Sequence, residues 1–474
     1  MRLETILVLD IGTSSAKAAV FNHAGHLLAE ASASYETKSP QAGWFEQSPD
    51  DWLAATEIAV SRLGDLRDAA LLVLTGSMQN LILLHKNGHP LAPAILYSDA
   101  RATPCFAALN ARMHSLDAAM RVGNQIDPLM CSAKLDWLNS ESANVMGNSA
   151  MIHTGAKDYI GYRLTGRHAT DATSASTTGL MNLATREWDA AILEDLSVAP
   201  HRMPAILPSD AILGEISPKA ASRLGLRAGL PVLNGIGDAG AATIGAGIEH
   251  PNQTYIYLGT TGWVARIVTV QYPRLPAPVF TLAHSDPGLL IEVAPILSAG
   301  DSVEWLQSIC IEDHADVEEN GADRPLYLPY LKGERSPFHD PRVRGAFLGL
   351  DRSHGPGSMR RAVLEGVALA IRHNLEALGE VSGSLTALGG GASDSSWTQI
   401  LADITGHSVA VHPAPISATA YGAAKLGAHA LSATFDPLLP SVVLSPVASA
   451  AEDSARLFRR YLAASNFLRT WAQL

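Results

Sequence analysis

The sequence reads as an α/β chain whose sheets mix antiparallel and parallel pairing, with one structural theme used twice. Thr5 to Leu9 is a short apolar run rich in strand formers, and Asp10 stands at its end; Lys17 to Phe21 and His26 to Tyr35 resume the extended pattern after turn signals. Gln253 to Leu258, Gly259-Thr260-Thr261-Gly262 and Trp263 to Thr269 repeat strand, Gly-Thr turn and strand near mid-chain. That position favours an internally duplicated architecture. A sheet that opens as a meander also differs from a dinucleotide-binding opening, which passes from strand directly to helix.

Each element has a local cause. Ser48-Pro49-Asp50-Asp51 starts a helix: Ser48 can cap it, Pro49 suits the first helical position, and Asp51 stands where a capping box places its acid. Trp52 to Leu63 continues the helix and leads to a buried strand, Leu71 to Leu74. Leu81 to Leu84, the Asn87-Gly88 turn and Leu91 to Leu96 read as a hairpin. Gly, His and Pro cluster over Gly247 to Pro251, which places a domain break between residues 1–248 and 249–474. Trp397 to Ile404 reads as a helix.

Composition excludes several classes. With 474 residues, 47% hydrophobic and 17% charged, the chain can bury two or three domain cores and is not intrinsically disordered. The 34 basic and 46 acidic residues leave a charge of −12 without a polybasic block, so no nucleic-acid or membrane partner is expected. Three scattered cysteines, Cys105, Cys131 and Cys310, match neither a disulfide framework nor a zinc site and read as thiols in a reducing cytosol. The apolar run near the N-terminus is interrupted by Glu4 and Asp10, and no stretch is long enough to span a membrane. The expectation is a soluble, cytoplasmic protein with no structural metal.

Four segments carry candidate chemistry. In Asp10-Ile11-Gly12-Thr13-Ser14-Ser15, a carboxylate at a strand end offers a magnesium ligand beside amides and hydroxyls that can hold phosphate; an ordinary hairpin turn is the other reading. Gly259-Thr260-Thr261-Gly262 could hold the other end of a triphosphate. Leu388-Gly389-Gly390-Gly391-Ala392-Ser393 suggests a flat backbone surface for a purine, or else a flexible loop. Asn234-Gly235-Ile236-Gly237-Asp238-Ala239-Gly240 contains a literal GxGxxG, yet no acid follows about 20 residues on to hold a ribose, and Asp238 would repel a pyrophosphate. Asp238 reads better as a general base kept ionised by the following helix N-terminus, with a helix-capping role as the alternative. There is no Gly-Lys dipeptide, hence no Walker A loop.

Taken in order, these segments resemble the FGGY family of carbohydrate kinases, within the actin-like ATPase superfamily. PAILYSD (Pro93 to Asp99), Lys134-Leu135-Asp136-Trp137-Leu138, Lys157-Asp158-Tyr159, LPYLKGERSPFHDP (Leu328 to Pro341) and Tyr421-Gly422-Ala423-Ala424 extend the resemblance over nearly the whole chain. It implies two actin-like (ribonuclease H-like) domains with a central cleft, the sugar mainly on the first and ATP–Mg2+ on the second. It also implies transfer of the γ-phosphoryl group to a sugar hydroxyl, with Asp238 as base and Asp10 positioning Mg2+ through water, Asp238 beside it. Gly12, Thr13, Ser14, Gly259, Thr260 and Thr261 would hold phosphates, and Gly389, Gly390, Gly391 and Ala392 the adenosine. A small-molecule sugar is the expected partner, with a homodimer left open.

The substrate signal is mixed. Met78-Gln79 stands where glycerol kinases carry Arg-Glu, which argues against glycerol, and where xylulose and gluconate kinases place Met-His. Ala239 replaces a polar residue after the aspartate, a lost contact of about 1 kcal/mol if nothing replaces it. Leu328 to Pro341 resembles xylulose kinases, whereas DATSASTTGLMN (Asp171 to Asn182) resembles the gluconate branch. The balance favours D-xylulose, with Met78, Gln79, Asp99 and Asp238 at the sugar; gluconate, another ketopentose or a polyol is the alternative. A non-catalytic actin-like sensor would share the phosphate turns but have no use for Asp238.

Overall fold

The computed structural model describes residues 5–66, 68–270, 279–309, 324–436 and 438–474; Cys310 and Glu4 lie outside them. The first half is built on β1 (Thr5–Ile11), β2 (Ser15–Asn22), β3 (Leu27–Ser34), β4 (Ala69–Gly76), β6 (Ile212–Glu215) and β7 (Pro231–Gly237), while β5 (Met78–Leu84) starts a smaller sheet. The main sheet runs β6-β7-β4-β1-β2-β3. Its β1-β2-β3 edge is antiparallel, and β1, β4 and β7 are parallel.

Alternation along β1 explains why it can be central. Leu7, Leu9 and Ile11 join one core with Trp52, Leu53 and Val60 of α1 (Pro49–Ser61). Ile6 and Val8 face the other way. Both faces are apolar because both are covered, and each fully buried aliphatic side chain contributes about 1.5–3 kcal/mol. The start of α1 follows from its cap: Ser48 Oγ accepts from the Asp51 amide, with Pro49 in the first turn. The hairpin expected after residue 81 forms around Asn87-Gly88, but β5 also pairs with Met151–Gly155.

The second half repeats the plan. Its sheet contains β8 (Gln253–Leu258), β9 (Gly262–Thr269), β10 (Phe280–Ala283), β11 (Leu289–Ile296), β12 (Ser382–Leu388), β13 (Val409–Val411) and β14 (Val442–Leu444), in the order β10-β11-β9-β8-β12-β13-β14. The series β11-β9-β8-β12-β13-β14 has the same pairing senses as β3-β2-β1-β4-β7-β6.

Two helices exchange places between the halves. α2 (Asp238–Gly245) follows the first sheet, yet Ala239 and Ala242 pack with Tyr255, Ala265 and Ile267 of the second. The long α3 (Pro356–Leu378) and α4 (Ser395–Thr405) cover the second sheet's own core. α5 (Ala418–Ala430) follows the second sheet, and its Ala420, Tyr421, Ala423 and Ala424 pack with Ile6, Val8, Leu71 and Val73 of the first. Where α2 meets α5 the backbones touch: a Cβ on Gly422 would lie 1.9 Å from the Ala241 carbonyl oxygen, and one on Gly245 2.0 Å from that of Ala418. The sequence break at 248/249 falls between α2 and β8, and α2 and α5 each pack across it. Among the described residues no helix is long and apolar enough to cross a membrane.

Candidate active site

The parallel strands β1, β4 and β7 end at one level. Thr75 pairs with Asp10 on one side and Ile236 on the other, and Gly76 with Ile11 and Gly237. Asp10 and Asp238 therefore leave the same sheet edge two strands apart, about 10 Å at the usual interstrand spacing. The glycines around Asp238 serve this approach. Gly235 has φ +70°, and a Cβ there would lie 1.7 Å from the Leu74 carbonyl oxygen; a Cβ on Gly237 would strike Met78 Sδ at 2.3 Å. The literal GxGxxG is thus a packing requirement of a bulged strand.

Two turns project from corresponding positions in the two halves. In the first, the Gly12 amide donates to Ser15 O (3.0 Å), and Gln47 Nε2 holds the Thr13 carbonyl (2.8 Å), leaving the Thr13 and Ser14 side chains exposed. In the second, the Gly259 amide donates to Thr261 O (3.0 Å), while the amides of Ala299 and Gly300 hold the Thr260 and Gly259 carbonyls. Thr260 is exposed. The Gly389–Ala392 segment is a tight turn followed by α4, capped by Asp394. Of its glycines, Gly389 (φ +86°) lies against the Leu258 carbonyl and Gly391 against Trp397, whereas nothing lies within 4 Å of a Cβ on Gly390. Gly390 is the one open to an approaching ring.

Burial raises both carboxylates. Burial pushes Asp10 above its ordinary value, opposed by Lys17. Burial, then the Asp10 charge, pushes Asp238 up to about 7, with a further contribution from Asp171; the Ala239 amide, 2.8 Å from Asp238 Oδ1, opposes this only in part. The sequence expectation that the helix N-terminus would keep Asp238 fully ionised is corrected: desolvation and two nearby carboxylates outweigh one amide. Asp238 is the first residue of α2 and does not cap it, since Gly237 holds that place.

The sequence of the chain matches the N-terminal domain of the FGGY family of carbohydrate kinases over residues 5–245 and the C-terminal domain over residues 255–431. The chain belongs to the FGGY family of carbohydrate kinases. Among its relatives, the xylulose kinase of Escherichia coli (strain K12) is 31% identical over 431 residues, 88% of each chain. The gluconokinase of Bacillus subtilis (strain 168) is 28% identical over 481 residues, 96% of this chain and 93% of the other. The crystal structure of a xyloylose kinase from Brucella ovis superposes with a TM-score of 0.89 at 27% identity, covering 99% of this chain and 100% of that one.

As an FGGY kinase the protein binds a sugar and uses ATP as co-substrate, and its two halves have the actin-like fold. Met78 lies over Gly237 beside Asp238. Gln79 takes a left-handed conformation (φ 60°) and donates its side-chain amide to the Thr177 carbonyl. Asp99 has another job than the expected sugar contact. It is 0% exposed, and its oxygens accept from Arg101 Nε and Nη2 (both 2.8 Å), the Arg101 amide and the Phe45 amide (2.6 Å). Arg101 in turn lies over Trp44, 4.1 Å from the ring centroid. Both oxygens of Asp99 are thus engaged within the protein.

Sequence reasoning missed the groups that join the halves. Asp127 meets Arg335 at 2.6 Å, and Asn124 exchanges two 2.8 Å hydrogen bonds with the Thr281 backbone. Thr173 and Ser176 hold the backbone of Ala283 in the same way. These side chains satisfy the free edge of β10, a role no local motif announces. Lys157, buried at 1% exposure, meets Asp158 (2.8 Å) and Asp171 (3.0 Å) just behind the Asp238 elbow. Lys157-Asp158 stood in the family-like strings, but without a role.

Proposed function

We propose that this FGGY kinase transfers the γ-phosphoryl group of ATP to D-xylulose, giving D-xylulose 5-phosphate and ADP. The observation that carries the mechanism is Asp238: a carboxylate at a glycine-lined strand end, poised near neutrality, where a base is most effective. It accepts the proton of the sugar hydroxyl as that oxygen bonds the γ-phosphorus. The bond from phosphorus to the β–γ bridging oxygen breaks, and ADP leaves with its electron pair. Thr13, Ser14, Thr260 and Thr261, carried on the turns that Gly12 and Gly259 close, hold phosphates; Gly389 to Ala392 receive the adenosine, with Gly390 the most open. In-line positioning and charge stabilisation supply most of the acceleration.

The donor set suits Mg2+. Asp10 and Asp238 are two carboxylates that burial and mutual repulsion both disfavour, a charge excess that a divalent cation relieves. Among the described residues no group of three His, Cys, Asp or Glu side chains could hold a metal unaided, and Mg2+ ordinarily relies on one or two carboxylates, waters and substrate phosphates. Asp10 would hold it through water, with Asp238 beside it; bound there, it would neutralise phosphate charge.

The choice of D-xylulose rests on the E. coli relative and on the string Leu328 to Pro341. Gluconate is the second reading, favoured by the longer alignment with the B. subtilis gluconokinase and by Asp171 to Asn182. Sugar-dependent ADP release across ketopentoses, gluconate, other aldonates and polyols decides between them. Stimulation by D-xylulose above all others, silent in Asp238→Asn, supports the proposal. A preference for gluconate replaces the substrate, and turnover surviving in Asp238→Asn overturns the mechanism.

A further inference from the structure

The repeat places Tyr257 where the first half has Asp10. Asp10-Ile11-Gly12-Thr13 and Tyr257-Leu258-Gly259-Thr260 each enter a phosphate turn from the strand next to the parallel pair, β1 beside β4 and β8 beside β12. Tyr257 is half-buried and its ring lies against its own turn: a Cβ on Gly259 would sit 2.7 Å from Tyr257 Cε1. Among the described residues its hydroxyl has no protein hydrogen-bond partner. The carboxylates of Asp10 and Asp238 both act on it, and burial with their charge pushes the phenol up to about 12. At neutral pH the group is a protonated donor within reach of the charges of both carboxylates and packed with Met78 beside α2.

Its ring is held by a relay that ends on the helix of the base. Trp263 stacks on Tyr257 with centroids 4.0 Å apart and planes 7° from parallel. The Trp263 indole N–H donates to Tyr255 Oη (3.1 Å), which lies 3.1 Å from Thr243 Oγ1 and donates to the Ala239 carbonyl (3.3 Å). Tyr255 and Tyr257 share one face of β8 by the period of two. The buried tyrosine grips the first turn of α2, and the outer one keeps its hydroxyl free.

The surroundings give that hydroxyl a use. Among the described residues, Lys17 is the cation that offsets the burial of Asp10, and no cation offsets that of Asp238. Phosphoryl transfer nevertheless needs donors aimed at the oxygens of the moving group, a place other enzymes fill with arginine or lysine. We propose that Tyr257 is a further catalytic residue, its hydroxyl donating a hydrogen bond to an oxygen of the γ-phosphoryl group during transfer while keeping its own proton. This rests on the ATP chemistry above but not on which sugar accepts the phosphoryl group.

Tyr257→Phe removes the oxygen and leaves the stack on Trp263, so thermal stability stays that of the unmodified protein. The expected result is a fall in kcat of about 10- to 100-fold, with KM for sugar and ATP within about threefold. In the same variant, binding of ADP with aluminium fluoride weakens by a comparable factor, while binding of a non-hydrolysable ATP analogue does not change. A kcat within about twofold of the original overturns the proposal, as does equal weakening of both nucleotide complexes, which would make Tyr257 a ground-state contact. The nucleotide binding comparison needs no sugar turnover, so its failure is separable from that of the Asp238 mechanism, which Asp238→Asn reports.

Discussion

The first sheet carries Asp10 near the end of β1 and Asp238 just after β7; in the second, Tyr257 stands where Asp10 does and His412 is the first residue after β13. The strand order and the Gly-Thr turn are shared, but ionisable carboxylates stand at these strand ends in one half only. In the first half β7 passes directly into α2, so Asp238 stands at the junction of strand and helix. In the second, residues 412–417 intervene before α5, and His412 is nearly buried, its amide bonded to Ala387 O and its Nδ1 accepting from the Ala414 amide. A duplicated backbone thus supplies two Gly-Thr turns by symmetry, and side-chain asymmetry distinguishes the end that carries the two carboxylates from the end that does not.

That contrast can be broken most sharply at Asp238. Asp238→Asn is expected to lower sugar-dependent ADP release by about 10^3-fold, within the usual range for a general base. Its stability should move the other way. A carboxyl whose folded pKa is raised contributes stability below its ordinary value of 3.8, and loses it as pH rises towards about 7. Asp238→Asn therefore melts higher than the original at pH 8, with the difference shrinking towards pH 5; a melting series across that range checks it.

The contact between α2 and α5 comes next. Gly422→Val drives a side chain into the Ala241 carbonyl, where the α2 and α5 backbones touch, and should cost about 3 kcal/mol or more in denaturant unfolding. Asp10→Asn sharpens the asymmetry itself. It is expected to reduce kcat by about 10- to 100-fold and to raise the Mg2+ needed for half-maximal rate. Removing its negative charge also lowers the Asp238 pKa, so the acid limb of kcat/KM, falling below about 7 in the original, shifts to lower pH. The smallest effect is at the seam. Arg335→Gln leaves Asp127 without its partner and should weaken sugar binding by about 1–2 kcal/mol, read as KM with kcat little changed.

Much of this site was legible because its signals are local. A glycine that permits close backbone approach, a hydroxyl beside it and an acid at a strand end are neighbours in the chain, so Asp10 to Ser15, Gly259 to Gly262 and the Asp238 elbow could be read as strings. The pairing of Asp99 with Arg101 was not legible, because a string does not tell which way a carboxylate turns. Tyr257 could have been found by laying one turn over the other, since it stands at the same distance from its glycine as Asp10 does.

What the sequence by itself determined is the α/β class, the repeated turn, the family and which carboxylate to propose as the base, because apolar periodicity and turn chemistry act over a few residues. Tertiary structure alone decided the exchange of α2 and α5, the raised pKa of Asp238, the burial of Asp99 and the clamp on β10. Each of these depends on groups brought together from distant parts of the chain. Desolvation and charge coupling are properties of that assembled neighbourhood and have no counterpart in the order of residues.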